Sequence, residues 1–258
     1  MRIQDKVIVI TGGASGLGLA TAHYLLREKG ARIAIFDVNV EAGTQAATEL
    51  GADRAMFVQT DVSGEESVQK AVDAVMSRFG AIHVCINGAA IPAPFKVLDK
   101  QGKAAPLAKF ANATAINLNG VFNVMSKCVE QMSKNEAEGG EERGVVINVS
   151  SGAAYEGSIG QSAYSATKAG IIGMNMPAAR ELGAIGVRVN AIAPGLFMTP
   201  MAASLDEKVL ASLVEQAEAP KRLGDMREFA HCCAFVIENA YLNAATIRLD
   251  AAARLRAK

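Results

Sequence analysis

Thr11-Gly12-Gly13-Ala14-Ser15-Gly16-Leu17-Gly18 follows directly on the apolar run Val7-Ile8-Val9-Ile10, and this junction decides the fold. Four β-branched residues in a row read as a strand buried on both faces. Glycines at 12, 16 and 18 permit a tight turn, close approach of the backbone to a bound group, and close helix–sheet packing. The pattern beyond them is helical. The free N–H groups and positive dipole end of a helix favour a phosphate. A glycine cluster alone is weak evidence, with turn-only glycines as the bland alternative. Between a first strand and a helix it reads as a dinucleotide cradle, with Gly12, Ser15, Gly16, Leu17 and Gly18 against the pyrophosphate.

Working outward, short β-branched runs recur: 33–36, 56–58, 82–86, 145–149, 187–192 and 246–249. Helical stretches fall between most of them, near 16–29, 41–50, 64–79, 108–134, 162–184 and 226–239. Ser63 with Glu66 reads as a capping box for the third. Strand–helix alternation over the whole chain predicts the α/β class, a single doubly wound Rossmann-type domain over 1–258 with a seven-stranded parallel sheet. No linker-like composition divides it. The charged, glycine-rich stretch 136–144 predicts a surface excursion. Segments at about 90–107 and 195–222 are long enough to serve as substrate walls.

Half of the 258 residues are hydrophobic, Trp is absent, and 26 basic residues balance 26 acidic ones. A large core built from Ala, Val, Ile and Leu suits parallel strands under Ala-rich helices. The balance leaves no basic footprint for nucleic acid. No apolar run approaches the ~20 residues that span a bilayer. The first residues enter a strand at once, which predicts no targeting peptide and a soluble cytoplasmic protein. Cys85, Cys128, Cys232 and Cys233 show no C-x-x-C pair and no metal-ligand spacing with His23, His83 or His231, so no metal site is expected.

Asp37 lies 19 residues beyond Gly18, at the end of the second strand. An acid about 20 residues on binds the adenosine ribose hydroxyls and repels the extra phosphate of NADP. No basic residue stands at Ser15, Val38 or Asn39 to accept that phosphate. The expected cofactor is NAD. Tyr164 and Lys168 are four apart on a helix and share a face, so phenol and ammonium can meet in one site. A nearby cation lowers a tyrosine's pKa from ~10 toward useful base strength. Ser151, 13 residues before Tyr164, can hold an oxygen on which charge develops. Alone, Tyr-x-x-x-Lys is usually a solvated helix face; with the glycine motif and the serine it is highly specific.

With those residues in place, the sequence resembles the short-chain dehydrogenase/reductase family over essentially its full length. Positions 11–18 match its Thr-Gly-x-x-x-Gly-x-Gly pattern, and Ser151, Tyr164 and Lys168 match its catalytic residues. The resemblance makes Asn117 the fourth catalytic residue, ordering a proton-relay water. It places Asp61 and Val62 against the adenine, and Pro194, Phe197 and Thr199 in a cofactor loop with Thr199 near the nicotinamide amide. Asn87-Gly88-Ala89-Ala90 stands where the family has Asn-Asn-Ala-Gly, so the resemblance implies that Asn87, Gly88 and Ala89 bind the cofactor, as do Tyr164 and Lys168. Ala90 in place of the last glycine is a departure in the backbone.

Within the family the chain is most similar to the type-2 3-hydroxyacyl-CoA dehydrogenases, also known for oxidising hydroxysteroids. Gly12–Thr21, Ala193–Phe197, Arg222–Asp225, Ile237–Asn239 and Ile247–Asp250 carry that likeness. It implies a homotetramer working in fatty acid metabolism, with an acyl-CoA as small-molecule substrate. A hydroxysteroid or small secondary alcohol is the alternative. A non-catalytic dinucleotide-binding scaffold is opposed by the retention of Ser151, Tyr164 and Lys168. Lys96, Lys100 and Lys103 beside Ile91, Phe95, Val97 and Leu98 suit the phosphates and acyl chain of a CoA thioester, although plain solvated lysines explain them as well.

Overall fold

The computed structural model describes residues 1–204 and 206–257. Strand and helix alternate: β1 (Val7–Thr11), α1 (Gly16–Arg27), β2 (Arg32–Asp37), α2 (Val40–Leu50), β3 (Ala55–Gln59), α3 (Glu65–Phe79), β4 (Val84–Asn87). Then come α4 (Leu107–Thr114), α5 (Gly120–Met132), β5 (Gly144–Val149), α6 (Ser162–Gly183) and β6 (Val187–Pro194). The chain closes with α7 (Pro200–Ala203), α8 (Glu207–Val214), α9 (Met226–Glu238) and β7 (Thr246–Leu249). All seven strands pair in parallel, in the order β3-β2-β1-β4-β5-β6-β7. This is the doubly wound Rossmann arrangement expected.

Successive side chains of each strand enter opposite faces. Ile8, Ile10, Ile33, Ile35, Val84, Ile86, Val145 and Ile147 pack with Leu25 of α1 and Phe229 and Ile237 of α9. Their neighbours Val7, Val9, Ala34, Phe36, Cys85, Val146, Val187 and Val189 pack with Val68, Val72 and Val75 of α3, and with Val124 and Cys128 of α5. Both faces are therefore dry, and the strands carry unbroken apolar runs. β1 borders β2 on one side and β4 on the other, so the strand order reverses there. A crevice opens beyond the carboxyl ends of the strands at such a point, and ligands bind in it.

Three local expectations change. Ser63 does not cap α3: the cap position is Gly64, without a side-chain bond, and the Ser63 hydroxyl donates to Asp61 Oδ1 at 2.7 Å. The nearby carboxylate captures that hydroxyl. A complete capping box forms instead at α9, between Asp225 and Glu228. The stretch 108–134 is not one α-helix, because a π-turn over Ala115–Asn119 separates α4 from α5. The segment 195–222 carries the short helices α7 and α8.

Candidate active site

The β1–α1 junction forms one wall of the crevice. Gly12 takes φ +66°, and a Cβ there would lie 3.0 Å from the Ala89 backbone. At Gly18 a Cβ would overlap the Gly12 carbonyl, so only glycine lets α1 start so close to β1. The Thr11 hydroxyl accepts from the N–H groups of Gly88 and Ala89 at 3.0 and 3.1 Å. It ties β1 to the chain leaving β4, through a contact 77 residues away along the sequence.

A cavity of about 440 Å³ runs along this crevice. Gly12, Ser15, Gly16, Leu17, Gly18, Asp37, Asp61, Val62, Gly88 and Ala89 all line it. Phe36, Ile116 and Val149 line it too, apolar wall residues that carry no motif, and Ile91, expected at an acyl-chain entrance, lines it as well. The Asp37 carboxylate accepts from Ala14 N–H at 3.2 Å and Asn39 N–H at 3.1 Å, which fixes it at the cradle's edge. A bare backbone cradle, a fixed carboxylate and apolar walls fit a dinucleotide.

Asn87 is placed differently. Its side chain is buried, with Nδ2 donating to Asn148 Oδ1 at 2.9 Å, so it stitches β4 to β5 instead of lining the cavity. Ala90 does line the cavity, and it needs no glycine conformation. Just beyond it, Ala93 takes a positive φ of +44°.

Ser151 leaves β5 in extended conformation, its Oγ accepting from Ala153 N–H at 3.1 Å. The same hydroxyl stands beside the Tyr164 phenol and favours its ionised form. Lys168, one turn along α6, has its Nζ over the Tyr164 ring, 5.7 Å from the centroid, and donates to Val149 O at 2.7 Å. Burial pulls the Lys168 ammonium down to about 8. The phenol moves the opposite way to expectation: burial raises Tyr164, and the neighbouring Ser151 hydroxyl only partly opposes this. Desolvation disfavours the charged form of both groups, and it sets the direction of both shifts.

Asn117 sits fully buried in the π-turn, an irregularity frequent at functional sites. Its amide brackets the Ile91 backbone, Oδ1 accepting at 2.8 Å and Nδ2 donating at 2.9 Å. Nδ2 also reaches Thr167 Oγ1 at 3.4 Å, next to Lys168. Asn117 thus joins the β4 loop to α6.

Pro194 closes β6 opposite Leu249. Phe197 is buried edge-on against Phe229, ring centroids 6.1 Å apart, and Phe229 lines the cavity. Thr199 caps α7 by accepting from Ala202 N–H at 3.2 Å. Its methyl lies 3.9 Å from where a Cβ on Gly16 would stand, so this loop reaches back to the cradle.

The family model of the short chain dehydrogenases matches residues 6–210. The chain belongs to that family. This dehydrogenase is 45% identical over 255 residues to human (Homo sapiens) 3-hydroxyacyl-CoA dehydrogenase type-2, covering 98% of this chain and 97% of the relative. Its likeness to the Drosophila melanogaster protein of the same name is 41% over 254 residues, 98% and 99% of the two chains. The crystal structure of 3-hydroxyacyl-CoA dehydrogenase type-2 from Mycobacterium avium superposes with TM-score 0.90 at 38% identity, covering 98% of this chain and 97% of that one. This dehydrogenase is accordingly an oxidoreductase acting on CH–OH groups, in a family that uses nicotinamide dinucleotides. Among the described residues, no helix is long and apolar enough to cross a membrane.

Proposed function

We propose that the protein is an NAD-dependent dehydrogenase interconverting 3-hydroxyacyl-CoA and 3-ketoacyl-CoA, a reaction of fatty acid metabolism. The single observation carrying the chemistry is the convergence of Ser151, Tyr164 and Lys168, with the Lys168 Nζ 5.7 Å from the Tyr164 ring centroid and the Ser151 hydroxyl beside the phenol. Gly12, Ser15, Gly16, Leu17 and Gly18 hold the pyrophosphate, and Asp37 takes the adenosine ribose. Asp61 and Val62 flank the adenine, while Gly88, Ala89, Pro194, Phe197 and Thr199 surround the nicotinamide half. Bound nicotinamide supplies the hydride acceptor, or in reverse the donor.

Tyr164 takes the substrate hydroxyl proton, and Ser151 donates a hydrogen bond to the same oxygen as charge develops there. Lys168 binds the nicotinamide ribose and, as a cation, favours the phenolate form of Tyr164. Asn117 orders the relay water through which that proton leaves. A buried phenol whose proton is held tightly in the resting site needs such partners. Oxidation and reduction share these groups, with direction set by cofactor ratio and pH.

The acyl-CoA substrate is supported by the relatives and by the loop after β4. Leu98 bridges Ala104, and Lys96, Lys100 and Lys103 are exposed along that small hairpin. Phe95 N–H donates to Gly160 O at 3.0 Å, tying the hairpin to the loop before Tyr164. On this reading the whole chain is one catalytic unit, with 90–107 and 195–222 as substrate walls. It works as a cytoplasmic homotetramer, for which exposed Phe122, Met176 and Phe235 offer apolar contact area. The experiment is NADH oxidation with acetoacetyl-CoA beside a ketosteroid and a simple ketone. Acetoacetyl-CoA is expected to turn over best; a silent CoA thioester beside an active ketosteroid would overturn the substrate.

A further inference from the structure

Arg248 of β7 is the hub of an ion cluster at the loop between Ser151 and Tyr164. Its Nη1 and Nη2 donate to the two carboxylate oxygens of Glu156 at 3.0 and 3.1 Å. Its Nε donates to Asp250 Oδ2 at 2.8 Å, and its guanidinium covers the Tyr155 ring at 4.5 Å. Arg254 pairs with the same two carboxylates at 3.3 and 3.4 Å. A planar fork that is bidentate and stacked at once fixes orientation as well as distance. Partly exposed ion pairs contribute little stability, so position is the better reason for this one.

What the fork holds is a single turn. Ala153 N–H donates to Ser151 Oγ, and the N–H groups of Tyr155 and Glu156 both donate to Gly152 O, at 3.0 and 3.2 Å. Ser151 begins this turn and Glu156 ends it. The other arm of the cluster reaches the segment after α8. Ala251 O, next to Asp250, accepts from Glu218 N–H at 2.9 Å and from Ala219 N–H at 3.3 Å. One arginine therefore joins the serine turn to the far end of the substrate-wall segment 195–222.

We propose that Arg248 is a positioning residue: by clamping Glu156 and Tyr155 it aims the Ser151 hydroxyl at Tyr164, and it affects turnover through Ser151. The proposal rests on the reading of Ser151 and Tyr164 as the catalytic pair. Misplacement of a reacting group by 1 Å costs up to ~100-fold in rate, so partial release of the turn is expected to cost about tenfold.

The test is a double-mutant cycle on kcat with NADH and acetoacetyl-CoA, alongside NADH binding by fluorescence. Arg248→Met and Glu156→Gln are each expected to lower kcat about tenfold while the NADH Kd stays within about twofold. In a Ser151→Ala background, either change is expected to cost less than about twofold more, because the group it aims is gone. A merely structural role would slow Ser151→Ala by the same factor again, and that result overturns the proposal alone. Near-normal turnover by Ser151→Ala removes the catalytic reading and this proposal with it. Where Arg248→Met fails to fold, Glu156→Gln decides, and unchanged kcat in that folded variant overturns the proposal.

Discussion

The Asp37 carboxylate accepts a hydrogen bond from the Ala14 backbone N–H across 3.2 Å, joining the end of β2 to the glycine cradle. The acid is thereby held where the adenosine ribose of a dinucleotide in the cavity would lie. A ribose phosphate placed there would meet a fixed negative charge. We expect a strong preference for NAD over NADP. Loss of a charged hydrogen bond costs roughly 1.5–3 kcal/mol, about tenfold to a hundredfold in affinity. Comparing kcat/KM for the two cofactors checks this, and equal use of NADP would contradict it. Asp37→Ser should narrow the gap.

The lysines of the β4 hairpin give a salt-dependent expectation. Lys100→Glu and Lys103→Glu should raise the KM for acetoacetyl-CoA several-fold while leaving NADH binding unchanged. Raising ionic strength should do the same to wild type by screening exposed charges. Steady-state kinetics between low and high salt checks both, and a flat KM across variants would remove these lysines from CoA recognition.

Much of this architecture is legible along the chain, because parallel strands covered on both sides are written as unbroken apolar runs. Val7–Ile10 and Val145–Val149 are such runs. The cradle is legible because glycine alone satisfies Gly12 and Gly18. Other features depend on partners distant in sequence. The amide of Asn117 brackets Ile91, 26 residues away, and Glu156 meets Arg248 across 92 residues. Neither pairing leaves a local pattern. Asn87 shows the opposite limit: it matched a cofactor motif, yet its amide serves Asn148. The short helices α7 and α8 also escaped, since helices of four and eight residues gain too little from propensity to show in composition.

His83 supplies a pH dependence. Its Nδ1 accepts from Val7 N–H at 3.1 Å, which requires an unprotonated ring nitrogen. Burial first, then Lys6 and Arg32, lower it from 6.5 to about 4 against the opposing charge of Glu138. The unfolded chain then binds a proton that the native state refuses, so stability falls as pH drops from 6.5 toward 4. Relative to His83→Gln, wild type should lose stability across that window and be flat above pH 7. Urea unfolding at several pH values measures it; parallel curves for the two proteins would contradict the assignment.

Ala252 is exposed and held at φ +57°. The left-handed region costs a residue with a Cβ roughly 1–2 kcal/mol, and glycine escapes most of that. Ala252→Gly should therefore stabilise by about 1 kcal/mol, after allowance for glycine's greater freedom when unfolded. For a domain of this size that is about 2–4 °C in Tm. Calorimetry reads it, and a lower Tm would show that the turn carries no such strain.

Tyr164→Phe removes one oxygen from the centre of the site. The ring still fills its place under Lys168, so fold and NADH binding should survive. The measurement is kcat for acetoacetyl-CoA reduction by this variant beside wild type, with NADH binding confirmed for both. Losing a positioned acid–base group predicts a fall of at least ~100-fold. A folded, NADH-binding Tyr164→Phe protein that turns over at a near-normal rate would contradict the account.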